Sequence, residues 1–131
     1  MTGGADHPDS LTGRALDAIV GAPQGVLIFT RTTCPACGAY QEEIAALRAQ
    51  GRLGGLALGV LRLDRPGASR FKRENRWLTE LRYLPYTVLY RRGQRIDAFA
   101  ASRGAYLLER VAAAFGPAAD GAGDPPGCGR R

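Results

Sequence analysis

The chain has 131 residues, enough for one domain with a genuine hydrophobic core but not for two. Its composition, 45% hydrophobic and 23% charged, is that of an ordinary globular protein, and no apolar run approaches the roughly 20 residues of a membrane helix. The net charge is +6, but the basic residues spread from Arg14 to Arg131 instead of clustering among aromatic residues. We therefore expect neither a nucleic-acid partner nor a membrane partner.

The cysteine content and the N-terminus both point away from a secreted protein. Three cysteines cannot all pair within one chain, which argues against a secreted disulfide scaffold. Residues 1–10 lack the basic segment and following apolar stretch of a signal peptide, and we expect them to be flexible. We therefore expect a cytoplasmic protein, in which two cysteines three residues apart are more often redox-active or metal-binding than structural.

The first half of the chain predicts a helix, a strand and a second helix. A short helix capped by Ser10 is predicted up to about Val20. The segment from Gly25 to Thr30 is continuously apolar up to its last residue, which is typical of a strand buried on both faces. A second helix is predicted from Pro35 to about Gln50.

The second half predicts another strand, a helix, a hairpin and a final helix. Leu58 to Leu63 forms a buried strand, which a right-handed crossover makes parallel to the first. A third helix is predicted from Pro66 to about Arg82, and its basic face is interpreted as solvated, with a phosphate- or partner-binding patch as the alternative. Residues 86–90 and 95–100 form a hairpin, and a last helix covers residues 102–115. Its predicted buried stripe consists of Leu108, Val111 and Phe115.

The chemistry is predicted to lie in the segment Thr32-Thr33-Cys34-Pro35-Ala36-Cys37, between the first buried strand and its helix. Pro35 suits the first helical position, which makes Cys34 the N-cap. The two cysteines then lie on one helix face, roughly 5–6 Å apart at Cβ, close to disulfide geometry. Backbone N–H groups and the helix dipole lower the pKa of a thiol at the N-cap. This predicts Cys34 as the nucleophile and Cys37 as the thiol that resolves a mixed disulfide.

The alternatives for the cysteine pair are buried structural thiols and a metal site. A zinc site needs four ligands, but only His7 and Cys128 remain to complete one. Cys128 belongs to residues 117–131, which offer almost nothing to a core and are expected to be disordered. We therefore expect no metal and no cofactor other than the redox-active Cys34–Cys37 disulfide.

The order of elements resembles the thioredoxin-like superfamily over about residues 11–116. The segment Leu84-Pro85-Tyr86-Thr87-Val88 falls where that family has its cis-proline and next strand, and Arg92-Gly93-Gln94 falls at its hairpin. The resemblance implies an α/β fold of thioredoxin type. Its four-stranded mixed sheet would contain two parallel strands and a C-terminal antiparallel hairpin, flanked by helices.

The same resemblance implies a monomeric thiol-disulfide oxidoreductase that reduces protein disulfides through Cys34 and Cys37. Its partners would be a protein or peptide disulfide and an electron donor, either a reductase or a small thiol. The implied substrate-binding residues are Thr33, Pro35, Ala36, Leu84 and Pro85. The alternative function is an adaptor of the same fold that binds partners without turnover.

The sequence departs from known subfamilies around the cysteines. Proline directly after the first cysteine is similar to glutaredoxins and periplasmic disulfide oxidases, whereas the glutathione-binding Gly-Gly of glutaredoxins is missing after the hairpin. Thioredoxins carry tryptophan and a buried aspartate where this chain has Thr33 and Ile28. Apolar surroundings are therefore expected to keep Cys37 protonated. If Cys37 nevertheless reacts rapidly, Glu42 and Glu43 are the first candidates for its base.

Overall fold

The computed structural model describes residues 13–101 and 103–116. The elements in chain order are α1 (Gly13–Val20), β1 (Gly25–Thr30), α2 (Pro35–Ala49), β2 (Ala57–Arg62), α3 (Ser69–Glu74), β3 (Tyr86–Arg91), β4 (Gln94–Ala100) and α4 (Gly104–Phe115). The predicted flexible segment 1–10 and the predicted disordered tail 117–131, with His7 and Cys128, lie outside the described residues. No helix of the described part has both the length and the apolar character needed to span a bilayer.

The four strands form one mixed sheet in the order β2-β1-β3-β4. Strand β1 pairs in parallel with β2 and antiparallel with β3, and β3 continues into the antiparallel hairpin with β4. This arrangement confirms the predicted fold class. Every residue of β1 is buried, as its continuous apolar run predicted.

Strand β1 divides the hydrophobic core between two faces of the sheet. Because side chains alternate along a strand, Leu27 and Phe29 enter one core, which α1 and α3 cover. Val26 and Ile28 enter the other, which α2 and α4 cover. We call these the α1/α3 face and the α2/α4 face.

The predicted single helix over residues 66–82 is wrong. The segment forms a 3-10 turn at Pro66–Ala68, the short α3, and a second 3-10 turn at Arg76–Glu80. The break comes at Asn75, whose side chain donates to the carbonyl of Phe71 (3.0 Å) and accepts from the Trp77 indole N–H (3.2 Å). Asparagine offers the backbone such alternatives to helix continuation. The break lets Trp77 pack edge-on against Phe29, with ring centroids 5.8 Å apart.

Helix α4 starts at Gly104, and its most buried side chain is Leu107 rather than the predicted stripe, whose members are only partly buried. The reason is its close approach to α2. A Cβ atom on Gly104 would lie 3.0 Å from the side chain of Leu47, which shows how closely the two helices approach each other. The Gly104 N–H donates to the Glu43 carboxylate at 2.6 Å, which satisfies a free donor at the start of α4.

Candidate active site

Cys34 is the N-cap of α2, as the sequence predicted. Its backbone is extended (φ −141°, ψ 95°), and Pro35 takes the first helical position. The Cys34 sulfur accepts a hydrogen bond from the Cys37 N–H at 3.2 Å, and the Cys34 carbonyl accepts from the N–H groups of Cys37 and Gly38. The sulfur of Cys34 therefore lies at the positive end of a 15-residue helix.

Cys34 and Cys37 form a disulfide, with Cα atoms 5.2 Å apart. Their environments differ: Cys34 is partly exposed, whereas Cys37 is 1% exposed. Within the pair, only Cys34 therefore has accessible surface to offer to another molecule.

The predicted substrate-binding residues lie in two neighbouring regions, the start of α2 with the residue before Cys34 and the loop before β3. Thr33, Pro35 and Ala36 are exposed around Cys34. Phe29 pairs with Tyr86, so the Leu84-Pro85 dipeptide that precedes β3 lies at the sheet edge where β1 ends. The Leu84–Pro85 peptide bond is cis. Leu84 is partly buried, and the buried Pro85 accepts through its carbonyl from the N–H of Ala101 at 3.3 Å.

Asp64 holds the loop before the cysteines, a role that sequence reasoning missed. Both of its carboxylate oxygens accept from the Thr32 N–H, at 3.1 and 3.3 Å. These bonds, chiefly from the Thr32 backbone, hold the pKa of Asp64 below its usual value. A usable signal was that Asp64 directly follows the predicted strand Leu58 to Leu63, because the ends of parallel neighbours meet at one edge of a sheet.

Similarity to known proteins is found in structure rather than in sequence. No protein-family model matches the chain, and no curated protein matches it. A thioredoxin of Malassezia sympodialis superposes with a TM-score of 0.63 at 16% identity, covering 81% of this chain and 89% of its own. Oxidised mitochondrial thioredoxin 3 of Saccharomyces cerevisiae gives 0.60 at 18%, with 82% and 95% covered. Thioredoxin of Trypanosoma brucei brucei gives 0.60 at 13%, with 85% and 95% covered.

The fold is thioredoxin-like. The resemblance stated from the motifs is thereby confirmed for the architecture, over nearly the whole length of these thioredoxins. Because the identities are low, activity and substrate have to be argued from the site itself.

Between α2 and the sheet lie buried hydroxyl groups that the sequence analysis did not expect. Thr30 and Thr87 are both fully buried, and so is Tyr40, whose hydroxyl forms a 3.0 Å hydrogen bond with the Thr87 hydroxyl. Burial raises the pKa of Tyr40 to about 12. Thr87 pairs with Ile28, so the hydroxyl pair lies beside the position where thioredoxins carry their aspartate. The α2/α4 face beside Ile28 is therefore not purely apolar, and the protonation of Cys37 stays a prediction.

The two glutamates proposed as bases for Cys37 are, respectively, exposed to solvent and bound to the start of α4. Glu43 accepts from the Gly104 N–H and forms an ion pair with Arg103 at 3.4 Å, which joins α2 to the start of α4. Glu42 is exposed. Within the described residues no three histidine, cysteine, aspartate or glutamate side chains come together as a metal site would require.

Proposed function

We propose that this protein reduces disulfide bonds of proteins or peptides by dithiol exchange through Cys34 and Cys37. The observation that carries the proposal is the contrast within the pair, because a partly exposed sulfur at a helix N-terminus adjoins a buried one. Such an arrangement suits a nucleophile and a resolving thiol.

In the first step the Cys34 thiolate attacks one sulfur of the substrate disulfide. A Cys34–substrate bond forms, the substrate disulfide breaks, and the other substrate sulfur leaves as a thiolate that takes a proton from solvent. The Cys37 N–H, 3.2 Å from the Cys34 sulfur in the disulfide state, favours the attacking thiolate, and the helix dipole acts in the same direction.

In the second step Cys37 loses its proton and attacks the Cys34 sulfur of the mixed disulfide. The Cys34–Cys37 bond forms, and the substrate leaves as a second thiolate. Two electrons have then passed from the protein dithiol to the substrate. A reductase or a small thiol restores the dithiol, and no further cofactor is required.

The exposed Thr33, Pro35 and Ala36, together with the neighbouring Leu84-Pro85 loop, would form the substrate surface. An extended peptide laid along the Leu84-Pro85 loop would use its own backbone groups for binding. That mode accepts many sequences, which suits protein disulfides as the substrate class.

The test compares Cys34→Ser with Cys37→Ser, using insulin as the disulfide substrate and dithiothreitol as the electron source. Wild-type protein should catalyse the reduction, and neither variant should. Cys37→Ser should trap a mixed disulfide visible by mass spectrometry, whereas Cys34→Ser should not. Equal trapping by Cys34→Ser would reverse the assignment of roles. Binding of disulfide proteins without any turnover by wild-type protein would instead indicate an adaptor.

A further inference from the structure

Thr30, the last residue of β1, carries a buried hydroxyl with no hydrogen-bond partner among the described residues. Its side chain is fully buried, and its Oγ1 atom neither donates nor accepts. Buried side-chain hydroxyls nearly always have a partner, because leaving one unpaired costs its lost hydration. This hydroxyl is therefore open to a partner in another state of the protein.

The position of Thr30 points to Cys37. Strand alternation places the Thr30 side chain on the α2/α4 face with Ile28. Directly above that face, the buried stripe of α2 begins with Cys37 and continues one turn later with Tyr40, which reaches Thr87 beside Ile28. Cys37 lies one turn before Tyr40 on α2, and Thr30 lies two residues after Ile28 on β1. Thr30 and Cys37 therefore occupy the same end of two facing elements.

We propose that the Thr30 hydroxyl donates a hydrogen bond to the Cys37 sulfur when the disulfide is open, and so acts as a positioning residue for resolution. The inference rests on the proposed exchange activity. In the disulfide state the Cys37 sulfur carries neither a proton nor a full negative charge. In the mixed disulfide Cys37 must become a thiolate, and a neutral donor at Thr30 stabilises that charge without adding a buried carboxylate.

Other polar groups also lie on this face. Arg62 pairs with Thr30 in the β1–β2 register, and its charge contributes to the lowered pKa of Asp64, so positive charge lies at this end of the sheet. Glu43 is held at the start of α4, and the Tyr40 hydroxyl is paired with Thr87. Among the buried hydroxyls of the described residues on this face, that of Thr30 is therefore the one available to a new sulfur acceptor.

The test is Thr30→Val, which removes the hydroxyl while keeping the branched shape. Its redox equilibrium with glutathione should shift about tenfold toward the disulfide, or ~30 mV more negative, because the reduced form loses a hydrogen bond to sulfur. Resolution of the mixed disulfide near neutral pH should slow about tenfold. The oxidised form should melt at the wild-type temperature or above, since the lost hydroxyl had no partner there.

Thr87→Val is the matched control on the same face. Its hydroxyl is paired with Tyr40 in the disulfide state, so this variant should lower the melting temperature of both redox forms and leave the potential unchanged. Thr30→Ser, which retains a hydroxyl, should restore the wild-type potential and keeps the test open if the valine variant folds poorly.

Two results would overturn the proposal. One is a wild-type potential and resolution rate in Thr30→Val. The other is a loss of oxidised-state stability in Thr30→Val as large as in Thr87→Val, because the Thr30 hydroxyl would then already be paired before reduction. The glutathione equilibrium needs no protein substrate, so failure to turn over insulin would count against the proposed function alone.

Discussion

The two faces of β1 are built from different chemistry. On the α1/α3 face three aromatic rings pack together, with Phe29 5.8 Å from both Phe71 and Trp77. On the α2/α4 face, by contrast, Thr30 at the same strand end and Thr87 of β3 carry buried hydroxyls. Alternation along one strand therefore separates two tasks: Phe29 anchors the strand end from one side, and Thr30 supplies a polar group on the other.

The largest effect is expected from breaking the aromatic face. Phe71→Ala should lower the free energy of unfolding by about 3–5 kcal/mol, since it removes a buried ring and leaves a cavity beside Phe29. Phe71→Leu, the control, should lose less because most of the volume is kept. Urea unfolding of the oxidised protein measures both.

The comparison of faces also predicts what Phe71→Ala leaves alone. The reduction potential of the folded variant should equal that of wild type, because the ring lies across the sheet from the cysteines. A shift comparable with that expected for Thr30→Val would show that the aromatic face takes part in the redox chemistry and is more than a support.

Much of this division could be predicted from the sequence. The continuous apolar run of β1 and the hairpin signals specified the sheet, and Pro35 specified the helix start at the cysteines. These features are local, so the residues that determine them are adjacent in the chain. The predicted helix over residues 66–82 is wrong because the Asn75 side chain forms hydrogen bonds with Phe71 and Trp77 that replace those of a continuous helix. A helical pattern of apolar residues does not reveal such competing hydrogen bonds.

The polar groups around the cysteines were harder to predict. Asp64 meets Thr32 across 32 residues, and Tyr40 meets Thr87 across 47. Whether such groups meet depends on strand register and on where a helix crosses the sheet. Ile28 alone suggested an apolar site. The hydroxyls near it come from Tyr40 on α2, from Thr87 on β3 and from Thr30, two residues further along β1.

A smaller difference in unfolding free energy is expected between phenylalanine variants of the two buried tyrosines, one on each face. Tyr40 is paired with Thr87, whereas the Tyr90 hydroxyl on the α1/α3 face has no partner among the described residues. Tyr40→Phe should cost about 1–3 kcal/mol of unfolding free energy, because it leaves the Thr87 hydroxyl buried and unpaired. Tyr90→Phe should be neutral or stabilising. Chemical denaturation at pH 7 compares them, and equal losses would contradict the hydrogen-bond assignment.

The smallest effect is expected at Asp64, which lies just after β2 and belongs to neither core. Its pKa is lowered in the folded protein, so its carboxylate stabilises the fold above the usual pKa of an aspartate. That contribution is lost as the pH falls through the lowered value. Asp64→Asn should therefore be slightly less stable than wild type at pH 7, and the difference should disappear in acid. Thermal melts across that range measure it.

Glu42→Gln is the matched control. It also removes one exposed carboxylate, on α2, and Glu42 does not bond to the Thr32 loop. It should leave the melting temperature at pH 7 as in wild type. The substitution at Asp64 loosens the Thr32 loop without touching the groups beneath α2, so the potential of the cysteine pair should stay constant. A changed potential in Asp64→Asn would mean that the loop, and not only the buried α2/α4 face, determines how the cysteines react.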